Sequence, residues 1–527
     1  MSQKSTARSK VEDNIDQDHW KSIISDVPLA GVSLNALQEF VNENSGKLFY
    51  PTTEELSFSP SAEPLIFEKL TTSQVCLRII KPATMDKLCS HADLLLSNAI
   101  NGVPSVSKAT VFVSHAWKYL FIELFECVKA QYEFSVEKDS AFFWIDIFVV
   151  NQHPSSSSVV RDSKWFAEAF KGAIQAIGLT FLVLLPWQSP MPLTRSWCLW
   201  EIYSTLNGGT SLIIKLPASQ EAEFIKVLTN KFDEVVLSMS KIDLRKSEAF
   251  IEADRLMIYE AVETAPGGFT EVNSRIHDRL RLWLSDTGKK ALAMLRSNSD
   301  DSLSAETLLL MNSLAKLLFN QSRLEESQQL YEEALRGRRS LLGEAHSDTL
   351  KTMTSFAHVL RAQKKFVDAE KMYRQTLGLQ QQTFGDAHLD TYSTKNHLAN
   401  LLRAQDRLEE AESLYVEALG GRREILGSKH ADTLISLNGL ALLYKQSGRF
   451  LEAEEILKEV LETQRETLGN HHPDTLWTMN NLGDLLRAAG KLLEAKEVYI
   501  EALQGRKEIL GESHPLTVQT KKALGSC

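Results

Sequence analysis

Five histidines stand at strict intervals of 42 residues: His346, His388, His430, His472 and His514. Imidazoles in series invite a metal reading. One per period, however, sets successive copies about one structural unit apart, whereas shared ligation needs donors within roughly 2 Å of one ion. These residues are expected to serve in turns, and no metal site is expected. A second series offers more chemistry. Asn312, Asn396, Asn438 and Asn480 share one register, with Thr354 as the exception, and seven residues further on lie Arg361, Arg403, Lys445 and Arg487. Amides can hydrogen-bond an extended peptide backbone, and guanidinium groups pair with carboxylate or phosphate. A fixed period keeps both ladders on one side of a stack. The alternative is a solvated helical face, because Arg and Lys are good surface helix formers. Read as a binding surface, the ladders suit an acidic or carboxyl-terminal peptide.

The elements that carry these ladders are legible from the same period. Thr349, Thr391, Thr433, Thr475 and Thr517 are 42 residues apart, as are Gly343, Gly385, Gly427, Gly469 and Gly511, within a recurring Leu-Gly-x-x-His-x-Asp-Thr-Leu turn. Each period holds two amphipathic helices. Asp348, Asp390, Asp432 and Asp474 are expected to cap the first helix, and the glycines to end the second. Ala315, Ala357, Ala399, Ala441 and Gly483 mark one close-packed position on the first helix. Ala369, Ala411, Ala453 and Ala495 mark another on the second, followed four residues later by Tyr373, Tyr415, Leu457 and Tyr499. A unit of this size cannot bury its apolar face alone, so neighbours must stack into a solenoid.

These features resemble tetratricopeptide (TPR) repeats, and the long period and its turn resemble the kinesin light chain subtype. The resemblance covers residues 305–527, as five repeats and a short capping helix from Thr517. It implies that the amide and cation ladders line a peptide-binding groove.

At 527 residues the chain exceeds what one core can organise, so several domains are expected. It is 43% hydrophobic and 24% charged, with a formal net charge of −10, which opposes general nucleic-acid binding. Cys76, Cys89, Cys127, Cys198 and Cys527 form no close pair and read as reduced thiols. The N-terminus lacks an apolar signal segment, and the apolar run Ile177 to Trp187 is too short to span a membrane. The expected location is the cytoplasm.

Residues 1–18 are polar and expected to be disordered. Residues 19–106 read as a mixed α/β extension, with a helix near 34–43, a strand near 76–80 and a helix near 85–96. From 107 to 290 apolar runs alternate with helical stretches: strands at 111–114, 142–150, 179–185 and 211–216, helices at 119–130, 164–177 and 196–206, then trailing helices. The alternation predicts a parallel, flavodoxin-like sheet whose ligands sit at the carboxyl ends of the strands. Residues 291–304 read as a linker.

Within that domain, Arg195-Ser196-Trp197-Cys198-Leu199-Trp200-Glu201-Ile202 resembles the S-x-W-C-L-x-E-L helix of Toll/interleukin receptor (TIR) domains. Val111–Ser114 and Trp144-Ile145-Asp146 resemble their first two strands. The pattern departs where Asn151-Gln152-His153-Pro154 and serines replace a glycine-containing loop, and where the first loop reads His115-Ala116-Trp117. The resemblance implies self-association or cleavage of NAD as a substrate. In members that cleave NAD the helix glutamate is catalytic, and it falls on Glu201. A carboxylate can stabilise the oxocarbenium character that builds as a glycosidic bond breaks. Ser114, His115, Trp117, Trp197 and Trp200 would then wall the pocket. The competing role for Glu201 is a structural ion pair with Arg195.

Together these readings describe a signalling or defence-type protein with a partner-binding array. The alternatives are a non-enzymatic interaction scaffold and a cargo adaptor, the latter opposed by the lack of a sustained heptad helix before the repeats. A regulatory NTPase lacks its G-x-x-x-x-G-K-[ST] loop.

Overall fold

The computed structural model describes residues 29–59, 61–153, 163–186, 190–240, 242–249, 252–265, 267–297, 304–510, 512 and 514–527. The expected disordered tail at 1–18 lies outside them, as do the serines after His153 and the centre of the expected linker. Two compact units emerge: Met1–Phe224 with Lys241–Ala265 and Arg275–His277, and Ile225–Ser240 with Pro266–Ser274 and Asp278–Cys527.

The first unit is built on a six-stranded sheet. In chain order its elements are β1 (Ala30–Ser33), α1 (Leu34–Asn44), β2 (Val106–Lys108), β3 (Val111–Ser114), α2 (Phe121–Tyr132), β4 (Phe142–Trp144), α3 (Ser163–Ile177), β5 (Leu179–Val183), α4 (Ser196–Asn207) and β6 (Ser211–Lys215). The spatial order is β6-β5-β3-β4-β1-β2. Strands β4, β3, β5 and β6 run parallel, in the 2-1-3-4 order of a flavodoxin-like sheet. The sheet is mixed, not purely parallel, because β1 pairs antiparallel with both β4 and β2. Strand β3 is buried along its whole length, which is why its sequence is a continuous apolar run.

The N-terminal extension departs from expectation at two places. Residues 76–80 are helical, within a run from Thr72 to Thr84. Thr71 and Gln74 close a capping box at its start, and buried Arg78 forks onto Glu55 at 2.6 Å. The helix expected at 85–96 narrows to His91–Leu95, started by a Ser90–Asp93 capping box. In both cases a local side-chain cap decides the backbone against the apolar pattern.

In the second unit each repeat joins a 16-residue helix to a 19-residue helix, from Ala305–Asn320 and Leu324–Leu342 onward, and Pro515–Gly525 closes the array. The turn between repeats has one chemistry throughout. Gly343, Gly385, Gly427 and Gly469 take φ of 85 to 90°, with ψ near 165°, a region essentially closed to residues with a Cβ. The hydroxyl of the recurring threonine donates to the glycine carbonyl, as in Thr349 to Gly343 at 2.9 Å. The cap is the histidine, not the expected aspartate. Nδ1 of His346, His388, His430 and His472 accepts the N–H of Asp348, Asp390, Asp432 and Asp474 at 3.1 to 3.2 Å. The aspartates sit inside the first turn, where their charge favours the helix dipole.

Close packing follows the small residues. Ala315, Ala357, Ala399 and Ala441 are fully buried, and a Cβ at Gly483 would lie 2.7 Å from the Tyr499 ring. First helices of repeats 1 and 2, 3 and 4, and 4 and 5 pack on one another, whereas second helices do so less closely among the described residues. The first helices therefore line the inner side of the stack.

Candidate functional site

The α/β unit gathers polar side chains at the carboxyl ends of β3 and β4. Ser114, the last residue of β3, donates from Oγ to Glu201 Oε2 at 2.5 Å. Trp117 Nε1 donates to Asp146 at 2.6 Å, and Asp146 also accepts the Ile147 N–H. His115 Nε2 lies 4.0 Å from Asp146 and makes no hydrogen bond among the described residues. Cys198 Sγ contacts the His115 carbonyl at 3.6 Å. Tyr119, which sequence reasoning passed over, ties this loop to the end of β5: its hydroxyl donates to the Leu185 carbonyl at 2.5 Å and accepts the Leu185 N–H at 2.7 Å.

Burial sets the protonation of this cluster. Helix α4 is buried from Ser196 to Thr205 except at Trp197, so Glu201 loses its hydration and its carboxyl rises to about 8, with the Asp146 charge adding to the rise and the Ser114 hydroxyl and Arg195 opposing it. Burial likewise holds the His115 imidazole below its ordinary value, against the pull of Asp146. At neutral pH the pair is thus a protonated acid and a neutral imidazole.

Of the residues expected there, Ser114, His115, Trp117 and Glu201 come together. The two tryptophans of α4 have other attachments. Trp197 donates to Asp254 at 3.0 Å and packs on Phe170. Trp200 is buried against Tyr203.

On the repeats, the two ladders part company. Asn396 and Asn438 are 1% exposed and Asn480 is 6% exposed, so the amides do not form the expected open surface. Three of them reach across to the next helix, 40 residues on: Asn312 to Thr352 at 3.2 Å, Asn438 to Thr478 at 3.2 Å and Asn480 to Thr520 at 3.1 Å, whereas Asn396 Oδ1 is buried without a partner among the described residues. Thr354, the exception, is too short to continue the seam, and Thr394 Oγ1 opposite it is buried without a partner among the described residues.

The cations behave differently. Arg361 and Arg487 are exposed, and Arg403 and Lys445 half-buried. Among the described residues Arg487 lies 3.6 Å from the Asp484 carboxylate, which also acts on Lys445 at longer range. A neighbouring row is fully engaged: Arg407 with Glu370, Arg449 with Glu412 and Lys491 with Glu454, each at 2.8 Å across a repeat boundary. A third set is internal. Arg338, Arg422 and Arg506 are buried and donate to the next first helix. Their Gly-Arg dipeptides recur every 84 residues, a signal present in the sequence that a 42-residue search does not isolate.

The tetratricopeptide repeat family model matches residues 305–382, 390–466, 437–508 and 474–527. The C-terminal helices are tetratricopeptide repeats. Repeats of this kind mediate protein–protein interaction, and these span the second unit from Ala305 onward. Among solved structures, TPR-like repeats from Podosopora anserina named for kinesin light chain are 24% identical, over 38% of this chain and 94% of theirs, at a TM-score of 0.33. BtubC (BKLC) from P. vanneervenii is 21% identical over 45% of this chain and 93% of its own, at 0.37. A Rap protein complexed with competence and sporulation factor is 14% identical over 58% and 87%, at 0.37. No curated protein matches the chain. No helix among the described residues is long and apolar enough to cross a membrane.

Proposed function

We propose that the TPR array binds an acidic peptide segment of a partner protein along the inner side of its first helices, in the manner of an assembly scaffold. One observation carries this reading: Arg361, Arg403 and Lys445 recur in register on the inner side with no ion-pair partner among the described residues, while the neighbouring cation row is paired. Cations in series with no carboxylate at ion-pair distance favour an anionic ligand and make its binding salt-dependent. Fluorescence anisotropy with a labelled hexa-aspartate peptide tests it. Arg361→Glu/Arg403→Glu/Arg487→Glu is expected to weaken binding about 100-fold, near 1 kcal/mol per reversed charge, and raised salt to weaken the wild type. Equal affinity in the triple variant overturns the reading.

A second reading rests on Glu201. Glu201 stands at the carboxyl end of the sheet, hydrogen-bonded to Ser114, and burial keeps it protonated; once hydrated it ionises to the carboxylate that stabilises oxocarbenium character as the glycosidic bond breaks. We read the α/β unit as a nucleotide-handling module that cleaves NAD, releasing nicotinamide, with self-association opening the buried carboxyl to substrate. In that arrangement the repeats select the partner and the α/β unit signals, within the cytoplasm. Full-length protein at high concentration with NAD should release nicotinamide, and Glu201→Gln should reduce the rate at least 100-fold. No release at any protein concentration, with the fold intact, excludes the enzyme and leaves the scaffold.

A further inference from the structure

In each repeat one residue of the first helix stands opposite a residue fifteen positions later on the second helix. Repeat 3 places Asn400 there, and its Oδ1 accepts the Tyr415 hydroxyl at 2.9 Å. Repeat 5 places Asp484 there: its carboxylate accepts the Tyr499 hydroxyl at 2.6 Å and the Asn480 amide at 3.3 Å, with Arg487 at 3.6 Å. Repeat 4 replaces both partners by leucine, Leu442 and Leu457. Each of these pairs is chemically complete.

Repeat 2 keeps the tyrosine and the arginine but changes their partner. Tyr373 is fully buried, and its hydroxyl has no acceptor among the described residues. His358 stands opposite, 5.8 Å between ring centroids, and its Nε2 is also buried without a partner there. His397 of repeat 3 closes the far side, 4.3 Å from the His358 ring and 6.3 Å from Tyr373. Arg361 occupies the register of Arg487. His358 thus stands in the register of Asp484, so a hydroxyl donor, two imidazoles and a guanidinium meet where repeat 5 supplies a carboxylate, with no acid among them.

We infer that the slot between repeats 2 and 3, formed by His358, His397, Tyr373 and Arg361, is a carboxylate subsite that receives one acidic side chain of the bound peptide. The inference rests on the groove reading above and fixes where in the groove an anion is held. Tyr373 and one imidazole donate to its oxygens, and Arg361 balances its charge.

Proton linkage follows from the surroundings of the two rings. Burial, reinforced by Arg361, pushes His358 down to about 4. Burial, with His358, Arg422 and Arg361 adding to it, holds His397 well below its ordinary value. The groups facing the rings are Arg361 on the first helix of repeat 2, Tyr373 on its second helix, and Arg422 on the second helix of repeat 3. None is acidic. Both rings are thus neutral in the free protein at pH 7, and an arriving carboxylate favours their protonated form. Binding then takes up a proton, so affinity rises as pH falls from 7.5 toward 5.5.

The test uses the full chain and the labelled hexa-aspartate peptide. Wild-type affinity is expected to rise about tenfold between pH 7.5 and 5.5, which is one linked proton acting over part of that window. His358→Asn gives Tyr373 the acceptor that Asn400 supplies in repeat 3. It should fold at least as stably as the wild type, bind about tenfold more weakly at pH 5.5, and lose the pH dependence. Unchanged affinity with an unchanged pH slope overturns the subsite. If Arg403→Glu/Lys445→Glu weakens binding while His358→Asn does not, the groove stands and the subsite falls. A wild type that fails to bind at either pH removes both.

Discussion

Glu201→Gln is expected to make the α/β unit more resistant to urea than the wild type at pH 9, and nearly equal to it at pH 5. The carboxyl is buried and rises to about 8 from an ordinary value of 4.5. A group whose folded pKa is raised stabilises fully below its unfolded pKa, and that contribution declines as pH rises toward the folded value. Between pH 4.5 and 8 the folded chain thus holds a proton that the unfolded chain releases. Above pH 8 the wild type must keep a bare carboxylate among apolar neighbours or open the helix. Glutamine keeps the shape and can still accept the Ser114 hydroxyl, but never ionises. At about 1.4 kcal/mol per pH unit the difference reaches a few kcal/mol at pH 9. Tryptophan fluorescence is a suitable probe, because seven of the nine tryptophans lie before residue 201. Parallel pH profiles for the two proteins would show that Glu201 titrates normally and is hydrated in solution. The same variant is the one that should abolish nicotinamide release, so a gain in stability with a loss of turnover separates chemistry from collapse.

What could be read in advance, and what could not, follows from the range of each interaction. The repeat turn was legible because five copies of one spacing leave little else to vary. Its cap was misassigned because aspartate is the commoner cap, while the imidazole acceptor is set by the extended backbone at His346 and its copies. The Asn ladder was visible as a period but its direction was not. Asn438 meets Thr478, 40 residues away, and a contact made by stacking leaves no mark on the helical wheel of one repeat. The cation ladder stays at the surface only at Arg361 and Arg487, while Arg403 and Lys445 are half-buried and Arg403 reaches Gln446 of the next repeat. In the α/β unit, the parallel strands announced themselves by continuous apolar runs. Strand β1 did not: it has four residues, and Val32 pairs with Val106 and Phe143, so only distant chain defines it. Ser114 and Glu201 were both named from resemblance, yet their separation of 87 positions hid that one hydrogen-bonds the other.

The largest effect on the repeat array is expected from Arg422→Ala. Arg422 is 4% exposed. Its Nη1 donates to the Asp432 carbonyl and Ser436 Oγ, both at 2.8 Å, and its Nη2 to Ser393 Oγ at 2.8 Å. No carboxylate pairs with it among the described residues, so the charge is held by dipoles at the boundary of repeats 3 and 4. Removing the guanidinium strips a charge-assisted donor from the Asp432 carbonyl and opens a void, at a cost of about 3 kcal/mol or more. The chain supplies its own control. Repeats 2 and 4 carry Gln380 and Gln464 at the same register, buried, each with an Oε1 that lacks a partner among the described residues. The boundaries after those repeats hold without a guanidinium. Arg422→Gln should therefore restore more than half of the loss, whereas Arg422→Lys should restore less, because a point charge cannot reach two acceptors in the plane of a fork. Stability in a stack is a sum of repeat and boundary terms. Weakening one boundary should thus split urea unfolding of the array into two phases, read by circular dichroism at 222 nm. Loss of under about 0.5 kcal/mol in Arg422→Ala, with a single transition retained, would mean that burial of the charge cancels its hydrogen bonds. The 84-residue recurrence of Gly-Arg would then reflect packing of the aliphatic stem alone.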